Sequence, residues 1–155
     1  MGKTPGQKAA RVKGFKMSES EILRKIAVIF VTDVVGFSTL MAQNEELTLR
    51  SFRSCKEILD NLFEEHSGRI FNTAGDSVLA EFPSAVSAVI CAVEFQKLIK
   101  ARNASVPNAA QMQFRIGLNM GDVIIEGTNL YGDGVNVAAR LEALSQAGGV
   151  CLSKS

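Results

Sequence analysis

IAVIFVTDVVGFSTLM, residues Ile26 to Met41, starts with an apolar run that leads to Asp33, and Gly36 and Ser38 follow a few residues later. The apolar run is rich in β-branched side chains, which predicts a buried strand over Ile26–Thr32. Asp33 follows at the point where this strand reaches the surface. An aspartate in this place can serve a turn, a helix cap or a functional site, so its role depends on what the fold places beside it.

The apolar pattern predicts helices on both sides of this strand. SESEILRKI, with its serines and early glutamates, predicts a helix start from Ser18. After the strand, a short helical piece and a long helix are expected over roughly Thr39 to His66. A further helix is predicted over Ser84 to Arg102. Its expected buried residues are Val86, Val89, Ile90, Val93 and Leu98.

Turn residues delimit the remaining strands. RIFNTAGDSVLAEF is typical of a β-hairpin that turns at Gly75 and Asp76. MQFRIGLNMGDVII predicts two strands around NMGD. A last helix is expected from about Gly134 to the glycine pair at 148 and 149, after which VCLS begins another strand.

This order of elements predicts the fold class α+β. A strand, a helix, a hairpin, a second helix and a further strand form the ferredoxin-like, or split βαβ, arrangement, with flanking helices on an antiparallel or mixed sheet. The right-handed crossover makes the first strand parallel to the first hairpin strand, with the second hairpin strand between them. Asp33 and Asp76 are therefore expected at the same edge of the sheet.

Charge divides the chain into two parts. Residues 1–17 contain five basic residues and no acidic one, so this tail is expected to be disordered, and contact with nucleic acid or an anionic membrane is the alternative. Residues 18–155 have the composition of one globular domain with a core. The five basic residues of the tail are Lys3, Lys8, Arg11, Lys13 and Lys16.

Composition also narrows the function classes. The three cysteines are widely spaced and odd in number, which argues against a disulfide framework or a zinc site and favours a cytoplasmic protein. The sequence contains no run of about 18 apolar residues, so no membrane span is expected within it. A ferredoxin-like RNA-binding module is disfavoured, because the sheet aromatics lack interleaved basic residues. No nucleic-acid partner is expected.

Two carboxylates at one sheet edge would repel each other unless a cation lies between them. Mg²⁺ suits such a pair, because it prefers oxygen ligands and is often held by one or two carboxylates together with substrate phosphates. Gly36 would allow a phosphate to approach the main chain, with Ser38 or Thr39 capping the next helix. The alternative is that Asp76 is an ordinary hairpin-turn residue.

A second polar group occurs in LYGDGVNVAARLEAL. Val137, Leu141 and Leu144 are expected on the buried face of this helix, whereas Asn136 and Arg140 lie four residues apart on another face. Arg140 is a permanently charged fork that suits phosphate oxygens. The alternative is a solvated helix face. The glycines at 132 and 134 indicate that something approaches the backbone closely.

Four segments in this order resemble the catalytic domain of class III nucleotidyl cyclases: FVTDVVGFSTLM, GRIFNTAGDSVLAEFPS, FRIGLNMGDVI and YGDGVNVAARLEAL. The resemblance covers roughly Lys25 to Ser155. It implies a cytoplasmic enzyme that converts a nucleoside triphosphate into a 3′,5′-cyclic monophosphate and pyrophosphate. It also implies a homodimer in which the active sites are shared between the protomers.

The resemblance assigns roles to individual residues. Asp33 and Asp76 match the family's metal-binding aspartates, with Val34 beside them in the metal set, and would hold two Mg²⁺ or Mn²⁺ ions. Asn136 matches the residue that orients the ribose, and Arg140 the one that stabilises the transferring phosphoryl group of a substrate held by the partner protomer. The loop expected to receive phosphate oxygens consists of Val34, Val35, Gly36, Phe37 and Ser38.

Two features depart from the family pattern. Asn72 and Asn129 stand where adenylate cyclases commonly carry a purine-reading lysine and an aspartate, and two amides can turn to suit adenine or guanine. ATP is the expected substrate, with GTP as the alternative. VCLSKS also ends the sequence before the family's last two strands. A weakly active or inactive regulatory domain that binds nucleotide or dimerises is therefore the alternative function.

Overall fold

The computed structural model describes residues 22–154, and the predicted basic tail lies outside them. This part of the chain forms a six-stranded sheet with four α-helices and a 3-10 turn at Asn108–Ala110. None of its helices has the length and apolar character needed to cross a membrane. The strands are β1 (Leu23–Val34), β2 (Arg69–Ala74), β3 (Ser77–Phe82), β4 (Phe114–Glu126), β5 (Asn129–Tyr131) and β6 (Val150–Leu152). The helices are α1 (Phe37–Gln43), α2 (Glu45–Glu65), α3 (Ala85–Ala104) and α4 (Asp133–Leu144).

The strand order is β2-β3-β1-β4-β5, and β6 pairs in parallel with β4. β3 is antiparallel to both β1 and β2, so β1 and β2 run in the same direction with β3 between them. This confirms the predicted α+β class, with an antiparallel and mixed sheet and flanking helices. It also confirms that the end of β1 and the β2–β3 turn lie at one edge of the sheet.

The start of β1 differs from the prediction. The helix start in SESEILRKI falls partly outside the described residues, and the part inside them is strand, because β1 begins at Leu23 and pairs there with Ile125 of β4. β1 and β4 stay paired without interruption as far as the pair of Val34 with Phe114. The long antiparallel pairing with β4 therefore outweighs the local helix propensity of this segment.

The predicted break in MQFRIGLNMGDVII is wrong, because β4 runs straight through NMGD. Gly121 makes close packing possible here and does not make a turn: a side chain on it would lie 3.1 Å from Cα of Gly134 in α4. A side chain on Gly134 would likewise lie 2.8 Å from the carbonyl oxygen of Asp122. Strand β4 is thus the close neighbour predicted for Gly134, whereas a side chain on Gly132 would meet nothing closer than Ile124 at 3.6 Å.

The sheet separates two apolar layers. On one face, α2 and α3 cover a large core that includes the edge-to-face pair Phe30 and Phe63, with ring centroids 5.1 Å apart. On the other face, α4 covers a smaller layer that contains Ile29 and Val31. Because side chains alternate along a strand, β1 supplies Phe30 to one layer and its neighbours to the other. Asp33 shares its parity along the strand with Ile29 and Val31, the residues on the α4 face.

The buried face predicted for α3 is wrong. Its five expected core residues are exposed by 36–68%, and the helix contacts the core through three small side chains together with Phe95 and Ile99. Apolar residues are spread around α3, so hydrophobicity alone does not show which side of the helix is buried. Packing selects the small side chains because they let the helix lie close to the other elements of the core. The buried residues of α3 are Ala88, Cys91, Ala92, Phe95 and Ile99.

The buried face of α4 also differs from the prediction. Val137 and Leu141 are only half-buried, and Leu144 is 76% exposed. The residues that face the sheet are Gly134, Val135, Ala138 and Glu142. α4 also ends at Leu144, before the glycine pair at which the prediction placed its end.

Candidate active site

Asp33 and Asp76 lie together, as the topology predicts. Oδ2 of Asp76 accepts a hydrogen bond of 2.8 Å from the backbone N–H of Val34, the residue next to Asp33. Gly75, with φ 60°, supplies the left-handed residue that closes the β2–β3 turn and places Asp76 there. The hairpin turn is thereby fixed to the end of β1.

The Asp33 carboxylate has an unmatched acceptor. Its Oδ1 is buried and has no hydrogen-bond donor among residues 22–154. A buried carboxylate oxygen without a donor is costly unless a cation or a proton occupies it. Oxygen ligands from two neighbouring aspartates fit a hard divalent ion such as Mg²⁺ or Mn²⁺. In the described part of the chain no three acidic, histidine or cysteine side chains converge as a complete metal site, so the two aspartates would share an ion with water or substrate.

Glu142 is a third carboxyl group at this edge, and the sequence analysis missed it. Glu142 is only 7% exposed, and its carboxyl group lies beside that of Asp33. Burial raises the pKa of Glu142 to about 8, and Asp33 acts in the same direction through this contact and through its charge. The charge of Arg115 lowers that pKa and the charge of Asp76 raises it. The available signal was the spacing of Val135, Ala138 and Glu142 along one helical stripe.

Arg115 is the cation of this cluster, and it was also missed. It lies directly opposite Asp33 in the β1–β4 register, and its Nε donates to the carbonyl oxygen of Ser145 at 3.0 Å. This bond holds the guanidinium stem against the end of α4. The sequence shows an arginine within a predicted strand. Only the β1–β4 register, which the sequence does not give, places this arginine opposite Asp33.

The loop after Asp33 has fewer free amides than predicted. The N–H of Val34 serves Asp76, and the N–H of Val35 donates to the carbonyl oxygen of Gln113 at 2.8 Å. Within residues 22–154, the amides of Gly36, Phe37 and Ser38 have no such partner. The prediction that Ser38 or Thr39 caps the helix is wrong: Gly36, with φ 64°, occupies the N-cap and no side chain caps α1.

Asn136 and Arg140 lie on the solvent side of α4, away from the aspartates of the same chain. Both residues are exposed, whereas Glu142, roughly 200° further around the helix from Arg140, faces the sheet. In the described region neither side chain makes a hydrogen bond or an ion pair. The structure therefore does not bring this pair together with Asp33 and Asp76 within one chain.

Asn72 and Asn129 lie on neighbouring parts of the fold. Asn72 is exposed on β2, directly after a bulge, and Asn129 begins β5. Arg69 of β2 donates to the carbonyl oxygen of Thr128 at 2.7 Å, which ties β2 to the turn before β5. The Asn129 amide is engaged at both ends.

Each end of the Asn129 amide has a partner close in sequence. Its Nδ2 donates to the Tyr131 hydroxyl at 3.0 Å, and its Oδ1 accepts from the N–H of Leu130 at 2.8 Å. The side chain would have to exchange at least one of these bonds in order to contact a ligand.

Comparison with known proteins gives a consistent result. The model of the adenylate and guanylate cyclase catalytic domain matches residues 18–155. The chain is 44% identical over 138 residues to a Rhizobium meliloti protein named "Putative adenylate cyclase 3", with 88% of this chain and 24% of that protein covered. It therefore spans about a quarter of the length of this relative.

Solved structures show the same similarity. The adenylate/guanylate cyclase/hydrolase from Silicibacter pomeroyi superposes with a TM-score of 0.77 at 38% identity, over 86% of this chain and 78% of that one. The adenylyl cyclase CyaB from P. aeruginosa gives a TM-score of 0.73 at 26% identity, over 86% and 79% of the two chains.

Proposed function

This chain belongs to the adenylate and guanylate cyclase catalytic domain family, and we propose that it converts a purine nucleoside triphosphate, ATP more readily than GTP, into a 3′,5′-cyclic monophosphate and pyrophosphate. The ribose 3′-oxygen forms a bond to the α-phosphorus, the bond from that phosphorus to the bridging oxygen breaks, and the hydroxyl proton is lost. The observation that carries the proposal is the meeting of Asp33 and Asp76 at one sheet edge.

Asp33 and Asp76, with the backbone of Val34 between them, would hold two Mg²⁺ or Mn²⁺ ions. Support comes from the buried Asp33 oxygen that lacks a donor and from the carboxylate chemistry of the pair. When bound, the ions would supply positive charge that lowers the pKa of the ribose 3′-hydroxyl and offsets charge on the triphosphate. Asp33 and Asp76 would position this charge beside the loop that receives the phosphates.

The loop from Val34 to Ser38 is proposed to bind the phosphate oxygens. Gly36, Phe37 and Ser38 offer backbone amides without another partner in the described chain, and Gly36 leaves the loop open to close approach. Val34 and Val35 shape the loop, because their amides are committed to Asp76 and Gln113. This division narrows the phosphate-binding group to three amides.

Asn136 and Arg140 are proposed to act on substrate held by a second copy of the chain. Asn136 would orient the ribose and Arg140 would stabilise charge on the transferring phosphoryl group. Their exposure on the outer side of α4 supports this assignment, because the aspartates of their own chain lie on its other side. The active form would then be a homodimer with shared sites, in the cytoplasm.

Asn72 and Asn129 are proposed to contact the base. Each amide carries both a donor and an acceptor, so the pair can satisfy the edges of either purine. The present bonds of Asn129 to Tyr131 and Leu130 favour a second candidate function, a domain that binds nucleotide with little turnover. In that case the triphosphate would bind without being converted.

One experiment separates the two candidates. The purified protein is incubated with Mn²⁺ and either ATP or GTP, the products are identified by chromatography and mass spectrometry, and binding of each triphosphate is measured in parallel. Formation of 3′,5′-cyclic nucleotide and pyrophosphate supports the enzyme. Saturable binding without cyclic product supports the regulatory domain, and the absence of both contradicts the proposal.

A further inference from the structure

We propose that Arg69 is a positioning residue for recognition of the base, because its side chain fixes the distance between the two strands that carry Asn72 and Asn129. The inference rests on the proposed function, in which these two amides contact the purine. It adds a residue that lies outside the candidate site. Arg69 would act on the base only through the two asparagines.

The backbone of the sheet does not connect the strands that carry the asparagines. β2 and β5 lie at opposite ends of the strand order β2-β3-β1-β4-β5, with three strands between them. Within residues 22–154, the one hydrogen bond that joins β2 to residues 127–131 runs from Nη1 of Arg69 to the carbonyl oxygen of Thr128, at 2.7 Å. Thr128 directly precedes Asn129. The Arg69 side chain therefore sets the position of one asparagine relative to the other.

Apolar packing alone would hold the two strands less specifically. Phe71 of β2 and Leu130 of β5 belong to the same apolar layer, on the α4 face of the sheet. Hydrophobic contact is non-directional, so it allows small displacements of one strand relative to the other. A hydrogen bond of 2.7 Å depends on distance and angle, and it supplies the directional restraint that the apolar layer lacks.

A β-bulge directs Asn72 to the same face of the sheet as Arg69. Arg69 pairs with Glu81 of β3. The register then shifts between Ile70 and Asn72, so that Asn72 pairs with Leu79. Glu81 and Leu79 are two residues apart and point to one face, which is the α4 face, because Leu79 packs in the layer there. Without the bulge, Asn72 would share the opposite face with Ile70.

Glu81 holds the Arg69 guanidinium in place. Nη2 of Arg69 donates to Oε1 of Glu81 at 2.9 Å, while Nη1 of the same group donates to Thr128. The second carboxylate oxygen of Glu81, Oε2, is 2.6 Å from Nζ of Lys25 on β1. The Glu81 side chain is only 16% exposed, so this end of the bridge is largely shielded from water. Because the guanidinium is planar, its bond to Glu81 sets the direction in which it reaches Thr128.

The test measures the binding of 3′-deoxy-ATP, 3′-deoxy-GTP and inorganic tripolyphosphate to the full chain in Mn²⁺, by isothermal titration calorimetry. The two nucleotides lack the hydroxyl that would react, and tripolyphosphate lacks the base. Arg69→Ala is expected to weaken binding of the better-bound nucleotide roughly 3- to 10-fold, which is the effect of about one lost hydrogen bond. Binding of tripolyphosphate should be unchanged, because Arg69 does not act on the phosphates.

Lys25→Ala is the matched control. It removes the other cation beside Glu81 and leaves the bond from Arg69 to Thr128 in place, so binding of all three probes should be unchanged. The melting temperature of each variant is recorded alongside. If Lys25→Ala weakens nucleotide binding as much as Arg69→Ala does, the effect comes from loss of charge around Glu81 and the inference is overturned.

Arg69→Lys separates the bridge from its charge. A lysine keeps a positive charge beside Glu81 but lacks the planar fork that reaches Glu81 and Thr128 together. This variant should therefore bind the nucleotides as weakly as Arg69→Ala, with a smaller fall in melting temperature. Nucleotide binding at the wild-type level in Arg69→Lys would show that charge is sufficient, and it would overturn the inference.

A double substitution shows whether Arg69 acts through the asparagines. In an Asn72→Ala background, the further change Arg69→Ala should cause little additional loss of nucleotide binding, because the distance between two amides matters only while both contact the base. An additional loss as large as that in the wild type would mean that Arg69 contacts the nucleotide itself. That result overturns a positioning role.

The remaining outcomes are also decisive. Unchanged nucleotide binding in Arg69→Ala overturns the inference, and so does an equal loss of tripolyphosphate binding, which would indicate general loosening or a phosphate contact. A wild type that binds the nucleotides no better than tripolyphosphate overturns both this inference and the base contacts of the proposed function. A wild type that binds all three probes in the expected pattern but forms no cyclic product from ATP or GTP contradicts only the proposed turnover.

Discussion

The carboxylate of Asp76 is hydrogen-bonded to the backbone N–H of Val34, so the β2–β3 turn and the end of β1 form one structural unit. The bond spans 42 residues of sequence and is partly buried. Asp76 therefore has two separable roles. Its oxygen accepts the hydrogen bond that stabilises the turn, and its negative charge would bind metal. Substitutions that keep one property and remove the other can distinguish these roles.

The structural role of Asp76 predicts a difference between two variants. Asp76→Ala leaves the Val34 amide without its acceptor and should lower the free energy of unfolding by about 1–3 kcal/mol. Asp76→Asn retains an acceptor oxygen and should lose clearly less. Urea unfolding followed by circular dichroism measures both values. Equal losses in the two variants would show that the hydrogen bond contributes little to stability.

Gly117 should not tolerate a side chain. A methyl group there would overlap the backbone of α4, so Gly117→Ala is expected to destabilise the fold by about 1–3 kcal/mol or to displace the helix. Gly149→Ala is the control, because its nearest contact would be 3.1 Å, to the carbonyl oxygen of Gln146. Thermal unfolding compares the two variants. A Gly117→Ala protein as stable as the control would contradict the close approach of α4 and β4.

The shared active site predicts complementation between inactive variants. Asp33→Ala and Arg140→Ala should each lose cyclase activity, whereas a mixture that exchanges subunits should regain roughly a quarter of the wild-type rate, because half the dimers are mixed and each has one complete site. Native mass spectrometry verifies that mixed dimers form. If they form and remain inactive, Arg140 does not act on the partner's substrate.

Glu81 predicts a stability effect at acid pH. Its burial favours a higher pKa, but hydrogen bonds and charges from Lys25 and Arg69 outweigh burial and hold the pKa of Glu81 below its usual value. A carboxyl group with a lowered pKa contributes stability above its unfolded pKa of about 4.3, and this contribution is lost as the pH falls through the folded value.

The test compares melting temperatures from pH 7 to pH 3. Glu81→Gln should lie below the wild type near neutral pH and converge with it in acid. The effect should be small, because the Lys25 and Arg69 side chains are 41% and 45% exposed. Glu64→Gln is the control, since Glu64 is exposed and makes no ion pair in residues 22–154. A constant offset of Glu81→Gln at every pH would contradict the assignment.

The meeting of Asp33 and Asp76 could be predicted from the sequence, because strand order and crossover direction fix which ends share an edge. Glu142 and Arg115 could not be placed in the same way. Their position depends on the β1–β4 register and on how closely α4 approaches Gly117, and both are properties of tertiary packing. The sequence pattern predicted the carboxylate pair and missed the two residues that flank it.

The errors in the fold have a common cause. The NMGD pattern predicts a break between two strands, but Gly121 in it serves the contact between β4 and α4. The apolar pattern places Val86, Val89, Ile90, Val93 and Leu98 of α3 in the core, but Ala88, Cys91, Ala92, Phe95 and Ile99 occupy it. In both cases local hydrophobicity and turn propensity were overridden by the need for close packing between elements.

The rate of cyclic nucleotide formation from ATP in Mn²⁺ shows whether Asp33 and Asp76 support a metal-dependent cyclase reaction. Wild type, Asp33→Asn and Asp76→Asn are compared after circular dichroism has shown that all three are folded. We expect cyclic product from the wild type and a loss on the order of 100-fold or more in each variant, because neutral amides remove the charge that holds the ions. Cyclic product formed at the wild-type rate by either asparagine variant would contradict it.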